Sequence, residues 1–377
     1  MSVMVTGETE RMALGGEPHG PFARWSPWGS SGAALRNRMK RRLGEVIKNR
    51  LKLTDISSFL QLPWNTWLFG SLPPLLSKFY LRTLAALYFQ LASKERSAIK
   101  RSLEATLGAS PTPRQDRRRW ARARAGIIDH YHEKLYLAFK SYSTIRQNCL
   151  DRVKIRNQEL LDQALAQGRG VILITGHYGA LEFMPGALAF REYPLSVMVH
   201  CKTPRLKVIL EERAAGAGTE LMDPKSGEVL FTALEHLKRG RILITQCDEI
   251  SMWRPYKDKT VRFLGLEVPL DRSMDLLARK SKAVVLMGLV HRLGGRRYEL
   301  ELLDPAKHPA AQGQQNVSVR CLSVLTEYIF QRPDHWYEWK KLNQFLPAPQ
   351  EMAHADKTIK HVLDPLAFQP GGVPQPG

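Results

Sequence analysis

A histidine and a glutamate five positions further on, His177 and Glu182, form the pair in this chain best suited to proton transfer. An imidazole with a pKa of ~6.5 takes up a proton near neutral pH, and a carboxylate on its second nitrogen fixes the tautomer and steadies the charge. Within one helix, five positions set two side chains about 140° apart, from the ~3.6-residue turn. Contact is easier with His177 in a strand-to-helix loop and Glu182 in the first turn of the helix after it. The run Gly168-Arg169-Gly170-Val171-Ile172-Leu173-Ile174-Thr175-Gly176 leads into the histidine. Its β-branched apolar centre reads as a buried strand. Open α/β sheets keep their chemistry at such strand ends and in the loops after them. The same spacing also fits a loop histidine beside a glutamate that merely suits a helix dipole.

Other chemistries lack their residues. There is no G-x-S-x-G elbow, no G-x-G-x-x-G and no P-loop, which counts against a serine hydrolase and against nucleotide cofactors. Cys149, Cys201, Cys247 and Cys321 are scattered and form no C-x-x-C pair, so neither zinc nor a disulfide framework is expected. Cys247, beside Asp248, reads as a small buried strand residue. His130 and His132 sit two apart with Glu133 next to them, but positions i and i+2 point apart on a helix and no H-E-x-x-H is present. No metal site is expected.

The net charge of +20 over 377 residues calls for an anionic partner: nucleic acid, an acidic membrane surface or a phosphorylated substrate. The cluster from Arg117 to Arg124 holds Trp120 but no RNA- or DNA-binding motif accompanies it, so a solvated or phosphate-facing helix face is the expectation. Leu35–Lys52 sets Leu35, Met39, Leu43, Val46, Ile47 and Leu51 at helical spacing among eight Lys and Arg residues. Such a helix either lies on an anionic bilayer or packs its apolar stripe on the domain. The nearby Trp64, Trp67 and Phe69 favour the bilayer. No signal-peptide core is apparent in the first thirty residues. Phe59–Ala92 is interrupted by Pro63, Pro73, Pro74, Lys78 and Arg82, short of the ~20 apolar residues a span needs.

Leu173–Glu182 with its Gly-Arg-Gly lead-in resembles the His–Glu block of the bacterial lipid A late acyltransferases, the lauroyl/myristoyl transferase type within the lysophospholipid-acyltransferase-like superfamily. The resemblance continues in order through Val199–Arg213 (VHCKTPRLKVILEER), Asp223–Gly240, Ile242–Glu249 (ILITQCDE), Val261–Gly265 and Leu270–Ala283. Gly70–Leu107 and Trp336–Lys341 match more loosely. Departures stand at Ala180-Leu181, where the family carries a bulky Asn-Trp pair, at Glu249-Ile250-Ser251-Met252-Trp253, and at Glu338-Trp339-Lys340-Lys341 in place of His-Arg-Arg.

The resemblance implies acyl transfer from an acyl carrier protein or coenzyme A thioester to a hydroxyl of a membrane glycolipid, lipid A-type for preference. His177 would be the general base and Glu182 its orienting partner, with no cofactor beyond the acyl-ACP or acyl-CoA co-substrate. Arg213 and Asp248 would bind substrate, Arg213 at a phosphate or an oxyanion, and Lys202 and Arg205, charges at a helix start on the acceptor side, are further substrate-binding candidates. By themselves Arg213 and Asp248 read as a surface helix arginine and a strand-end turn aspartate, and only the resemblance makes them site residues. Tyr178 reads as packing, and Arg262 and Phe263 as candidate pocket lining. The expected place is the cytoplasmic face of a bacterial inner membrane, peripheral or monotopic, with no nucleic acid partner. Two alternatives stay open: transfer to another lipid or to a polyketide-type alcohol, and a non-catalytic basic protein that binds anionic membrane or RNA.

Apolar periodicity gives the scaffold for these residues. Strands are expected at Val171–Thr175, Leu195–His200, Glu220–Met222, Ile242–Gln246, Thr260–Leu264, Ala283–His291 and Arg297–Leu303, alternating with helices. This is an α/β fold with a mixed, largely parallel central sheet covered by helices, preceded by an N-terminal helical region. The expected divisions are a disordered 1–33, a basic helical membrane-associating 34–150, a catalytic 151–345 and a flexible Pro- and Gly-rich 346–377.

Overall fold

Strand β2 (Val171–Thr175) is buried at every position, so both of its faces must be covered and it has to run through the middle of a sheet. In the computed structural model, which describes residues 62–201 and 204–347, it does. The seven strands are β1 (Val153–Arg156), β2, β3 (Leu195–Met198), β4 (Glu220–Met222), β5 (Ile242–Gln246), β8 (Val284–Gly294) and β9 (Arg297–Leu303), in the order β1-β9-β8-β2-β5-β3-β4. Only the β8–β9 pair is antiparallel. The fold is therefore the expected α/β arrangement with a mostly parallel mixed sheet.

Thr260–Leu264 does not join this sheet. It lies in β6 (Pro255–Phe263), which pairs only with β7 (Leu266–Asp271) in a separate antiparallel hairpin. Leu264 and Gly265 both have positive φ, 52° and 83°, the two-residue turn that folds a strand straight back on its neighbour. Local pairing thus wins over the central sheet. β1 and β7 are short or partly exposed strands that the apolar pattern does not reveal.

Before the sheet come α1 (Pro63–Ser71), α2 (Pro74–Leu91), α3 (Ser93–Leu107), α4 (Pro113–Phe139) and α5 (Tyr142–Arg152). Thr112 caps α4 by accepting the Gln115 amide, and Pro113 at the first turn fixes the start. Ser141 accepts the Thr144 amide and so begins α5 as a new helix. α1 and α2 pack on α4. Within the sheet region α6 (Gln158–Leu165), α7 (Phe183–Ala189), α8 (Pro204–Gly216), α9 (Val229–Lys238), α10 (Ser273–Ser281), α11 (Val317–Gln331) and the short α12 (Trp339–Leu342) complete the chain. α6 packs on β2 and β9, α7 on β3 and α9 on β5. The expected N-terminal disorder, the Leu35–Lys52 helix, Lys202 and the C-terminal tail lie outside the described residues, and so does the Arg205 side chain.

One close approach shapes the packing at the end of β2. A Cβ on Gly126, in α4, would stand 1.7 Å from the Asp334 carbonyl oxygen. That contact seats the segment after α11 directly on α4 and delivers Trp336, Tyr337 and Glu338 to the end of β2. Gly126→Ala should therefore push the two apart, at a cost of about 1–3 kcal/mol or more. Urea unfolding of the variant, read by tryptophan fluorescence, should show the midpoint falling, and an unchanged midpoint would remove this contact from the account.

Candidate active site

Strand register brings the first two groups together. β2 and β5 are hydrogen-bonded neighbours with Thr175 opposite Gln246, so two residues beyond each strand His177 meets Asp248. The loop after β2 is tightly tied. Cys247 donates its amide to the Thr175 carbonyl, Gly179 to the His335 carbonyl and Ala180 to the Val290 carbonyl, at 2.8, 2.8 and 2.9 Å. Gly179 has φ of +60°, and a Cβ there would lie 1.7 Å from the Val290 oxygen, so only glycine fits.

Asp248 has no exposure and is met entirely by donors. The His177 amide reaches its two oxygens at 3.0 and 2.9 Å, the Trp336 indole N–H donates to Oδ2 at 2.7 Å, and His177 Nδ1 lies 2.9 Å from Oδ1. With Nδ1 so held as the donor, the basic position of a neutral ring would be Nε2. Nε2 is not vacant. Glu249 Oε2 lies 3.2 Å away and Glu338 Oε1 3.8 Å away, and Lys341 Nζ bridges both carboxylates at 2.8 and 3.3 Å. Burial alone would lower the imidazole pKa. The carboxylates of Asp248, Glu338 and Glu249 overcome that and push it up to about 10. Burial also opposes the charge on Glu249, but His177 and Lys341 hold its carboxyl well below the usual carboxylate range. The ring stands edge-on to Tyr337, at 5.4 Å between centroids.

Glu182 sits where the loop-and-first-turn geometry requires, directly before α7, yet its carboxylate faces elsewhere. The carboxylate faces Nδ1 of His130 on α4, at 3.7 Å, while Asp248 occupies the place on His177 that the five-residue spacing assigns to Glu182. The two are linked indirectly, since His130 stacks on Tyr337 at 3.5 Å and 11°. Burial, with Lys134 and Arg292 nearby, drives the His130 pKa well below 6.5, so this second ring is neutral. Behind the loop Arg292 grips Glu133 through two 2.8 Å bonds and donates to the Gly179 carbonyl at 2.5 Å.

Arg213 is placed apart from this cluster: its guanidinium donates to the Lys140 carbonyl at 2.6 Å, between α4 and α5. Tyr178 is buried: its backbone forms an isolated β-bridge with Trp336, and its ring packs edge-on against His291, Tyr328 and His335. Phe263 packs edge-to-face on Trp336, and Arg262 is exposed. Cys247 is buried, which raises its thiol well above the ordinary range and leaves it unreactive. His132 turns away from His130, towards Ser77 and Phe69. Among the described residues no group of three His, Cys, Asp or Glu side chains could hold a metal ion. Glu249, Glu338, Lys341 and Tyr337 are site residues that motif spacing does not single out. Their signal is present in the two departures at Glu249-Ile250 and Glu338-Trp339-Lys340-Lys341.

A family model described as bacterial lipid A biosynthesis acyltransferase matches residues 51–342, most of the chain. No curated protein matches it.

Because its folded value of about 10 lies above 6.5, His177 contributes stability that is complete below pH 6.5 and is lost as the pH rises through 10. Imidazole ¹⁵N NMR should accordingly find the ring still protonated at neutral pH, and Glu249→Gln should move its titration to lower pH. Identical titrations in both proteins would mean that Glu249 exerts no hold on the ring. Asp248→Ala strips the acceptor from a buried amide and a buried indole, and about 3–5 kcal/mol of stability should go with it, measurable by denaturant titration.

Proposed function

The chain belongs to the bacterial lipid A biosynthesis acyltransferase family, and we propose that His177 is its general base, moving a fatty acyl group from an acyl-ACP or acyl-CoA thioester to a lipid hydroxyl. The observation that carries this reading is the His177 ring fixed at Nδ1 by buried Asp248, with Nε2 turned towards the partly exposed Glu249 and Glu338. In the reaction the acceptor hydroxyl takes the position of Glu249 on Nε2. The Nε2 proton of the resting imidazolium is released to solvent as Glu249 withdraws, and the hydroxyl proton then passes to Nε2 as the hydroxyl oxygen bonds to the thioester carbonyl carbon. Collapse of the tetrahedral adduct breaks the C–S bond, and the departing thiolate takes the proton from the imidazolium. No acyl-enzyme is required, because the acceptor is itself the nucleophile. A base of this kind contributes about 10²–10⁴-fold.

Asp248 is the orienting carboxylate in this scheme. Glu182 acts one layer further out, through His130 and Tyr337. Lys202 and Arg205 remain proposed contacts on the acceptor side. Arg213, bonded to Lys140, supports the fold between α4 and α5.

The acceptor is a membrane lipid, and α2 supplies a surface to meet it. No helix among the described residues is long and apolar enough to cross a membrane. α2 instead exposes Leu75, Leu76, Phe79, Leu87 and Leu91 on one side, its only charges are Lys78 and Arg82, and Trp67 of α1 is also largely exposed. An apolar face bordered by Lys78 and Arg82, which share Asp129 of α4 as counter-charge, and with no acid on the helix itself fits the interface of an anionic bilayer.

Two results are expected. Lipid mass spectrometry should reveal an acylated species in cells that carry the protein, and His177→Ala should reduce it at least a hundredfold. A species retained at full level in the variant would end the role of His177 as base. In sedimentation with phosphatidylglycerol vesicles, Leu75→Asp/Phe79→Asp should leave the protein largely in the supernatant while it stays folded. Undiminished pelleting would move the docking surface elsewhere.

A further inference from the structure

A cavity of about 200 Å³ lies between the start of α2, the C-terminal half of α4, the end of α5, the start of α7 and the turn between β8 and β9. It holds none of the residues assigned to acyl transfer. Lys78, Arg152 and Arg296 line it together with Asp129 and Glu133. Both carboxylates already have cations of their own. Asp129 pairs with Lys78 at 3.0 Å and with Arg82 at 3.7 Å, and Glu133 is gripped by Arg292. No carboxylate pairs with Arg152 or Arg296 among the described residues. The lining therefore has a surplus of positive charge fixed by side chains that are already folded around it.

A second, independent observation comes from Tyr136, a buried lining residue. Its phenol oxygen accepts Asn148 Nδ2 at 2.9 Å and Arg296 Nη2 at 3.3 Å. With its oxygen taking two donors, the phenol hydrogen is left to give, and no acceptor for it occurs among the described residues. A buried donor without an acceptor costs roughly 1–3 kcal/mol, so it calls for an incoming oxygen. The guanidinium of Arg296 is held over the Tyr136 ring at 5.6 Å, and its backbone takes φ of +60° to place it there. The groups ready to act are thus two guanidinium groups and a phenol, all donors, which match the oxygens of a phosphate.

The mouth of the cavity includes Pro74 and Leu75, the first residues of α2. Leu75 is 77% exposed and begins the apolar face that continues through Leu76 and Phe79. A molecule with its anionic end among Arg152, Arg296 and Tyr136 would leave the cavity along that face. We propose that this cavity binds the phosphate headgroup of an anionic lipid whose chains lie along α2. The lipid as carrier rests on the bilayer docking proposed for α2, whereas recognition of phosphate does not.

Monomeric dihexanoyl phosphatidic acid and inorganic phosphate serve as probes, titrated by calorimetry into the full-length protein. The short-chain lipid should bind saturably and about tenfold more tightly than phosphate, a difference of ~1.4 kcal/mol. Arg152→Gln, which breaks no side-chain hydrogen bond or ion pair among the described residues, should weaken it about tenfold, and Tyr136→Phe should weaken it severalfold. Arg118→Gln/Arg122→Gln, on the exposed part of α4, removes more charge and should change binding less than twofold. Equal weakening by both sets would reduce the effect to general electrostatics and overturn the site. Equal affinity for inorganic phosphate would overturn the lipid as its source. Leu87→Asp/Leu91→Asp, at the end of α2 away from the cavity, separates the premises: lost vesicle pelleting with retained binding of the monomeric lipid supports the site, and retained pelleting without binding of that lipid overturns it.

Discussion

A carboxylate out of reach of water must be met by donors on every side, and Asp248 meets that requirement by joining three parts of the chain. It takes the amide and ring of His177 from the β2 loop and the indole of Trp336 from the segment after α11, while its own position is fixed by β5. Removal of one partner of such a buried group costs several kcal/mol, because the others are left without a counterpart. The ring is therefore set by the same bonds that close the fold over it. Gly179 and Gly126 are permissive in the literal sense: each admits a backbone carbonyl where a Cβ would stand.

This explains why a pair spaced by five residues ends up with different partners. Sequence spacing measures distance along one chain, whereas the register of β2 against β5 sets distance across two. Thr175 opposite Gln246 commits Asp248 to His177, and once Nδ1 is taken Glu182 has no acceptor role left on that ring. Its carboxylate turns to His130 instead. The position of Asp248 at a strand end was legible, because Ile242–Gln246 is a clean apolar run. Its neighbour in space was not, since no residue pattern states strand order.

The same distinction separates the parts of the fold that the residues announce from those they do not. β2, β4, β5 and β9 are legible to the residue, each being a short apolar or alternating run between turn signals. Thr260–Leu264 has an equally plausible pattern, but the Leu264-Gly265 turn hands it a local partner first. The apolar stretch before Ala92 reads as an interrupted hydrophobic segment from composition. Only the packed helices reveal that Leu81, Ala85 and Phe89 face inward while Leu75, Phe79 and Leu87 face out. Likewise Glu338 and Lys341 lie about 160 residues from His177, a separation bridged by tertiary packing alone.

The charge at Nε2 has one further consequence for the proposed reaction. A ring flanked by three carboxylates holds its proton too firmly to accept another, so the arrangement with Glu249 in place is a resting one. Two opposite charges about 4 Å apart at an effective dielectric near 20 attract by ~4 kcal/mol. Moving one carboxylate off the ring therefore changes its basicity by an amount that matters. Glu249 is suited to be the one that leaves, because Lys341 and Ser251 already hold its other oxygen at 2.8 and 2.7 Å and can keep it once it lets go of His177. Asp248 is not, since its release would strand the Trp336 indole. An acceptor hydroxyl that replaces Glu249 on Nε2 thus does two things at once: it takes up the reacting position, and it lowers the affinity of the ring for the proton it carries, which leaves to solvent and frees Nε2 as the base. The site is in this way capped by its own carboxylate until an acceptor displaces it.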